Sequence, residues 1–326
     1  MRKRIGYILI ISIIIGLFGA CGVQQSFNND RTDKMTKEEL IETLCDGECI
    51  YSVQSETIEI PNVEREYYFL YLSDMHVIIP SEELAENEIA TVTARQESFK
   101  NVLGKSSSEI YQALISSINK TDIDAVLMCG DMMDYLSKSN WDYLKVGLDS
   151  LKVPYLYATA DHDLSTWWTN YSEEESVTLK GSMQLKSVNR IEYDEFVILS
   201  VSESTSQLTE EALKEIKEVF AIGKPIILMT HVPLEPTEDK GLEEISRTYK
   251  GDRNLVWGKE AYYIPDDVTQ EYLDMVYAED SPVVAILSGH IHVKYTGMLN
   301  ENITQYVSNP AFLGEVNLVT IKGSSE

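Results

Sequence analysis

Residues 67–76 read Tyr67-Tyr68-Phe69-Leu70-Tyr71-Leu72-Ser73-Asp74-Met75-His76, an apolar run that ends in a carboxylate and an imidazole one residue apart. A short, continuously apolar run rich in aromatics reads as a strand buried on both faces. The arrangement recurs four times. Ala125–Cys129 precedes Gly130-Asp131, Pro154–Ala158 precedes Asp161-His162-Asp163, Ile226–Thr230 precedes His231, and Val283–Leu287 precedes Gly289-His290-Ile291-His292. Each of these strands therefore ends in a cluster of side chains of the kinds that bind metals.

Working outward, Ile110, Leu114, Ile115 and Ile118 make one helical face, and Leu213, Ile216 and Phe220 make another that Gly223 closes. Strands alternating with helices predict a layered α/β domain, and in such domains ligands collect beyond the carboxyl ends of the strands. Ile191–Val201, Ile291–Met298, Gln305–Val307 and Val316–Ile321 read as further strands with few helices between them. A single parallel sheet would not use them all, so a second sheet is expected.

The chain holds five histidines, His76, His162, His231, His290 and His292, and every one lies at a strand end. One such histidine alone reads as an ordinary core or surface residue. Five of five do not scatter this way without a shared task. Residues two apart on a strand share a face, which would bring Asp74 beside His76 and His290 beside His292. Mixed imidazole and carboxylate donors suit Zn, Mn or Fe rather than Ca or Mg.

The order Asp-x-His, Gly-Asp-x-x-Asp, His-Asp, His, Gly-His-x-His, over about residues 65–325, resembles the calcineurin-like metallophosphoesterase family. The resemblance implies an α/β fold in which two mixed β-sheets pack as a sandwich flanked by helices. It implies two divalent metal ions (Mn, Zn or Fe) at one edge, and hydrolysis of a phosphoester by a bridging hydroxide. Asp74, His76 and His292 would hold the first ion, Asp131 would bridge, and Asp161, His231 and His290 would hold the second. His162 would stay free of metal and protonate the leaving alkoxide, with Asp163 orienting it; Asp134 would be a loop or supporting residue. The chain departs from the family at Asp161, where Asn is usual. A carboxylate still binds metal, but it adds negative charge and removes an amide donor. That departure keeps an alternative open: a catalytically weakened, membrane-tethered metal-binding or interaction protein with the same fold.

Charge narrows the partners. There are 27 basic and 53 acidic side chains, a net charge of −26. Such a surface repels phosphate backbones, and no basic cluster stands outside the N-terminus, so no nucleic-acid partner is expected. The expected substrate is a small or envelope-derived phosphoester, drawn in by bound cations. Met1-Arg2-Lys3-Arg4 and the apolar run Ile5–Ala20 have the pattern of a signal peptide over residues 1–20. It closes on Leu17-Phe18-Gly19-Ala20-Cys21, which resembles the bacterial lipobox and implies an extracytoplasmic protein anchored to the cell membrane through lipidated Cys21.

Residues 21–48 read as a polar tether and a short helix opened by a Thr36/Glu39 capping box, and 49–326 as the phosphoesterase domain. Tyr51–Ile60 reads as an edge strand. Cys45 and Cys49 could pair outside the cell, and Cys129 reads as buried. Trp167 and Trp168 are expected to pack beneath their loop rather than line a pocket. Glu235–Glu244 reads as a solvated loop, and Glu82–Glu88 as a loop or lid.

Overall fold

Alternation inside each apolar run decides what the strand touches. In a computed structural model, residues 34–324 other than 46, 48, 51, 82–83 and 203–206 are described. The elements in chain order are α1 (Lys37–Leu44), β1 (Ser52–Ile60), β2 (Tyr67–Leu72), α2 (Glu86–Ser98), α3 (Ser107–Ile118), β3 (Ala125–Cys129), α4 (Lys138–Ser150), β4 (Tyr155–Ala158), α5 (Asp161–Leu164) and α6 (Glu173–Met183). They continue with β5 (Val188–Glu192), β6 (Val197–Val201), α7 (Glu210–Phe220), β7 (Ile226–Met229), α8 (Gly241–Tyr249), α9 (Asp267–Tyr277), β8 (Val283–Ser288), β9 (Tyr295–Met298), β10 (Thr304–Val307) and β11 (Glu315–Gly323).

The strands form two mixed sheets, ordered β1-β11-β2-β3-β4 and β5-β6-β7-β8-β10-β9. In the first, β2 runs parallel to β3 and antiparallel to β11. In the second, β6, β7, β8 and β10 are parallel, with antiparallel β5 and β9 at the edges. Phe69 and Tyr71 of β2 enter the layer between the sheets and meet Phe196, Ile198, Ile227 and Met229 of the other sheet. Leu70 and Leu72 point the opposite way, into a core shared with α1, α3 and α4. On the far side Leu199, Leu228 and Ile286 pack against Leu213 and Ile216 of α7 and Leu273 of α9. Strands buried on both faces explain why the runs lack polar alternation. The sandwich flanked by helices is the fold the sequence predicts.

Several local expectations change. The helix assigned to the tether is built into the domain: Thr36 and Glu39 cap it reciprocally, and Leu40 and Leu44 are fully buried. Asp122 and Asp124 hold the residues before it, accepting the Met35 N–H at 3.1 Å and the Lys34 ammonium at 3.0 Å. Residues 191–201 are a hairpin rather than one strand. Strand geometry in 291–298 is confined to β9, so Gly289-His290-Ile291-His292 lies on a loop. Glu235–Glu244 is not merely solvated, because α8 begins at Gly241 and buries Leu242. Glu82 and Glu83 lie outside the described residues, whereas Glu86 opens α2. Cys45 and Cys49 are not bonded to each other, and Cys129 is buried between the sheets. No described helix is long and apolar enough to cross a membrane. Residues 1–33, on which the expected signal sequence, Cys21 and most of the expected tether fall, lie outside the described residues.

Helices α3 and α4 approach closely at Gly147, where a Cβ would collide with the Tyr111 ring. Gly147→Ala should therefore cost about 1–3 kcal/mol of stability in urea unfolding, against alanine's higher helix propensity. Combined with Tyr111→Ala, the same Gly147→Ala change should cost nothing further.

Candidate metal centre

The parallel strands β2, β3, β7 and β8, with β4, deliver their carboxyl ends to one edge of the sandwich, but extended geometry does not aim the ligands. Asp74, His76, Asp131, His290 and His292 all have left-handed backbones, with φ of 54°, 47°, 52°, 70° and 55°. Each such residue costs on the order of 1–3 kcal/mol and persists only where surroundings over-determine it. Here the loops fasten one another: Asp74 N–H donates to Gly130 O at 3.0 Å, His76 N–H to Asp131 O at 2.9 Å, and His290 N–H to the Asp74 carboxylate at 3.0 Å. Side chains two apart thus converge through left-handed turns, not through a shared strand face. Gly289 is required by contact, since a Cβ there would strike the Ser73 hydroxyl and the Asp74 carboxylate.

Two triads result, Asp74–His76–His292 and Asp131–His231–His290, the ligand atoms of each lying within 4.8 Å of one another. His292 Nε2 stands 3.2 Å from Asp74 Oδ1 and 3.3 Å from His76 Nε2. His231 Nε2 stands 3.1 Å from Asp131 Oδ2 and 3.2 Å from His290 Nδ1. Asp131 Oδ2 also lies 3.8 Å from His76 Nε2, which joins the triads. Donors sharing one cation at about 2.0–2.2 Å sit roughly 3–3.5 Å apart, so these spacings are those of coordination corners.

Protonation agrees. His76 Nδ1 lies 3.0 Å from the Asp134 carboxylate, and His231 Nδ1 lies 2.7 Å from Cys129 O. These acceptors place the hydrogen on Nδ1 and turn the Nε2 lone pairs toward the neighbouring imidazoles. Burial holds His76 and His290 below the usual imidazole range, in the neutral form that binds metal. Asp74 Oδ1 and Asp131 Oδ1 are buried without a hydrogen-bond partner. Both carboxyls are nonetheless held below the ordinary range, the surrounding histidines outweighing burial. Orphaned carboxylate oxygens among imidazole lone pairs fit a pair of cations.

The remaining predicted residues divide. Asp161 joins Asp131 and His162 in a third cluster, and His76, Asp134 and His162 make a fourth. Burial, and then the charge of Asp131, raise the Asp161 carboxyl above its usual range. His162 lies outside both triads with Nδ1 2.7 Å from Asp134 O. Asp163 does not orient it. Fully buried, the Asp163 carboxylate accepts the backbone N–H groups of Asp131, Met133 and Ala160, each at 2.9 Å, and so fastens the Gly130–Met133 loop to α5. Burial first, and the Asp131 charge second, lift its pKa to about 7.

Orientation falls instead to Asp134, which contacts His76 through its carboxylate and His162 through its carbonyl. Arg95 of α2 forks onto the Asp134 carboxylate, with Nη2 at 2.6 Å from Oδ1 and Nε bonded to Oδ2. The Arg95 guanidinium lies 4.8 Å from the Trp168 ring centre.

Sequence reasoning missed Arg95, Tyr263 and Lys250. Tyr263 Oη lies 3.0 Å from His290 Nε2. Lys250, just past α8, is pushed down by burial while the charges of Asp74 and Asp131 oppose the shift. No spacing signal marks any of the three.

Asp134 and Asp163, whose expected roles are exchanged, give a direct contrast. Asp134→Ala should weaken metal binding about 10- to 100-fold in calorimetric titration, by freeing His76. Asp163→Ala should lower the metal-free unfolding free energy by on the order of 3 kcal/mol or more, by orphaning three buried N–H groups.

Residues 67–294 match the family model described as calcineurin-like phosphoesterase. No curated protein matches the chain significantly. Among solved structures, a dimetal phosphatase from Danio rerio is similar at 11% identity and a TM-score of 0.45, over 76% of this chain and 88% of that one. A putative 5'-nucleotidase from Staphylococcus aureus, solved with α-ketoglutarate, is similar at 15% identity and a TM-score of 0.37, over 76% of this chain but only 49% of that one. A phosphopantetheinyl hydrolase from Mycobacterium tuberculosis is similar at 12% identity and a TM-score of 0.38, over 75% and 90%. All three likenesses are distant. The family match, by contrast, runs from the first residue of β2 to beyond His292, over more than half of the sequence, and the chain belongs to the calcineurin-like phosphoesterase family.

Proposed function

We propose that this phosphoesterase hydrolyses small phosphoesters outside the cytoplasm, with His162 as the acid that protonates the leaving oxygen. Asp74, His76 and His292 would hold one cation, and His231, His290 and Asp161 the other, with Asp131 shared. When bound, such a pair lowers the pKa of a water held between the ions and offsets charge on the phosphoryl oxygens. The chain's own residues supply the rest.

The observation that carries the reading is the position of His162. It shares a cluster with Asp131 and Asp161 yet belongs to neither triad. With Nδ1 directed at the Asp134 carbonyl, its Nε2 remains for the substrate. Burial opposes its protonation, but Asp131, the Asp134 carbonyl and the carboxylates of Asp134 and Asp161 outweigh it and raise its pKa. A shift in that direction favours the protonated imidazole that a general acid needs. As water adds to phosphorus and the ester bond breaks, His162 would pass that proton to the departing alkoxide. The Lys250 ammonium would attract the anionic ester against a net charge of −26. The export signal and the lipobox-like Leu17–Cys21 support work at the outer face of a membrane.

The purified full chain, loaded with Mn or Zn, should turn over p-nitrophenyl phosphoesters, and a chelator should abolish the rate. His162→Ala should lower kcat about 10²- to 10⁴-fold while metal content, read by elemental analysis, stays at that of the parent chain. No turnover with any metal, while two equivalents bind, would establish the metal-binding protein instead. Asp161→Asn removes a negative charge beside the phosphoryl group and is expected to raise kcat; a fall would mean the carboxylate is needed to hold the second cation.

A further inference from the structure

The adjacent indoles Trp167 and Trp168 have different surroundings. Trp168 lies over the Arg95 guanidinium and packs with Ile78, Phe99 and Phe312. Trp167 is 52% exposed, although burial of so large an apolar ring is the ordinary outcome. Its ring centre stands 4.8 Å from that of His162 at 85°, and 6.4 Å from that of Trp168 at 70°. The indole is therefore braced on two sides, with the remainder open to solvent beside the proposed acid. A single exposed apolar residue needs no explanation in itself. One that touches the group delivering the proton does.

Resting on the assignment of His162 above, we infer that Trp167 is the platform for the leaving group, and that the substrates are small phosphoesters with a flat aromatic ring near the scissile oxygen. The leaving oxygen must come within about 2.6–3.2 Å of a His162 ring nitrogen to take its proton. Given the 4.8 Å between the rings, that places the oxygen no more than about 9 Å from the centre of the indole. A ring one or two bonds beyond the oxygen spans that gap and reaches the indole; a short alkyl chain offers it little surface.

Charge favours the same choice. A chain of net charge −26 gains little by attracting an anion at long range, so affinity beyond the cations must come from contacts that do not depend on charge. Stacking is such a contact, and tryptophan, with two side-chain torsions, loses little entropy in offering it. The same charge disfavours a nucleic-acid polymer as the source of the ring.

The test uses the metal-loaded full chain and two esters with similarly poor alkoxide leaving groups, benzyl phosphate and n-propyl phosphate. Their ratio of kcat/KM within one variant cancels general damage to the site. Trp167→Ala should lower the benzyl-to-propyl ratio about 5- to 150-fold, the effect of one lost stacking partner, and Trp167→Phe should restore most of it. A ratio unchanged by Trp167→Ala overturns the inference, whatever happens to the absolute rates. Binding is read separately with benzylphosphonate and propylphosphonate, which are not hydrolysed. The ratio of their Kd values should move in the same sense on Trp167→Ala, and an unmoved ratio again overturns the platform. If neither ester is hydrolysed, the reading of His162 fails, while the phosphonate titration still decides the role of Trp167.

Discussion

Two carboxylates, Asp74 and Asp131, are buried at the sandwich edge with an oxygen each that no hydrogen bond satisfies. Burying a carboxylate costs several kcal/mol unless it is paired. Placing two of them close together adds mutual repulsion. Five left-handed residues lie in the same loops, each with its own backbone cost. Electrostatic and conformational strain therefore fall on the same few residues, and the same event relieves both. Cations at the two triads would satisfy the orphaned oxygens and tie down the turns. The rest of the molecule supplies the rigidity around this edge: two sheets with a shared apolar layer and helices closing both outer faces.

Rigidity reaches the centre through two aspartates with different duties. Asp163 gives up its acceptor capacity to backbone N–H groups, so it fixes where the loop carrying Asp131 runs. Asp134 touches a ligand histidine and the proposed acid, and Arg95 clamps it from α2. A displacement of Asp134 would move His76 and His162 together. The ligand geometry and the proposed proton delivery thus meet at one residue, its carboxylate on His76 and its backbone carbonyl on His162.

What was legible in the sequence follows from range. The five strand ends announce themselves locally, because an apolar run and the ligands after it are contiguous; β2 with Asp74 and His76 is the clearest. The sandwich follows once more strands appear than one parallel sheet can use. Local patterning does not carry the left-handed turns, since the enrichment of Asp and His at positive φ is too weak to place a turn at a given residue. The strand-face argument thus brought the right pairs together for the wrong geometric reason. Nor does it carry Arg95, which reaches Asp134 across 39 residues, or Lys250, which feels the charges of Asp74 and Asp131 from far along the chain. The exchange between Asp134 and Asp163 has the same origin. Adjacency to His162 favoured Asp163, but α5 turns that side chain inward to the loop, while Asp134 arrives from a different strand end.

The distribution of charge sharpens the chemical problem the centre must solve. An acidic surface discourages the anion whose ester bond is to be cut, and the centre itself contributes Asp74, Asp131, Asp134 and Asp161. Arg95 is committed to Asp134, and Lys250 is a half-buried cation whose pKa the charges of Asp74 and Asp131 raise against burial. Asp161, where the family has Asn, makes the balance more negative still. A site so constituted has little attraction for a phosphoester until its cations are in place, and strong attraction for those cations. Metal occupancy then becomes the condition for substrate binding as well as for chemistry. Recognition of the rest of the substrate would then fall to uncharged surface, such as the exposed indole beside His162.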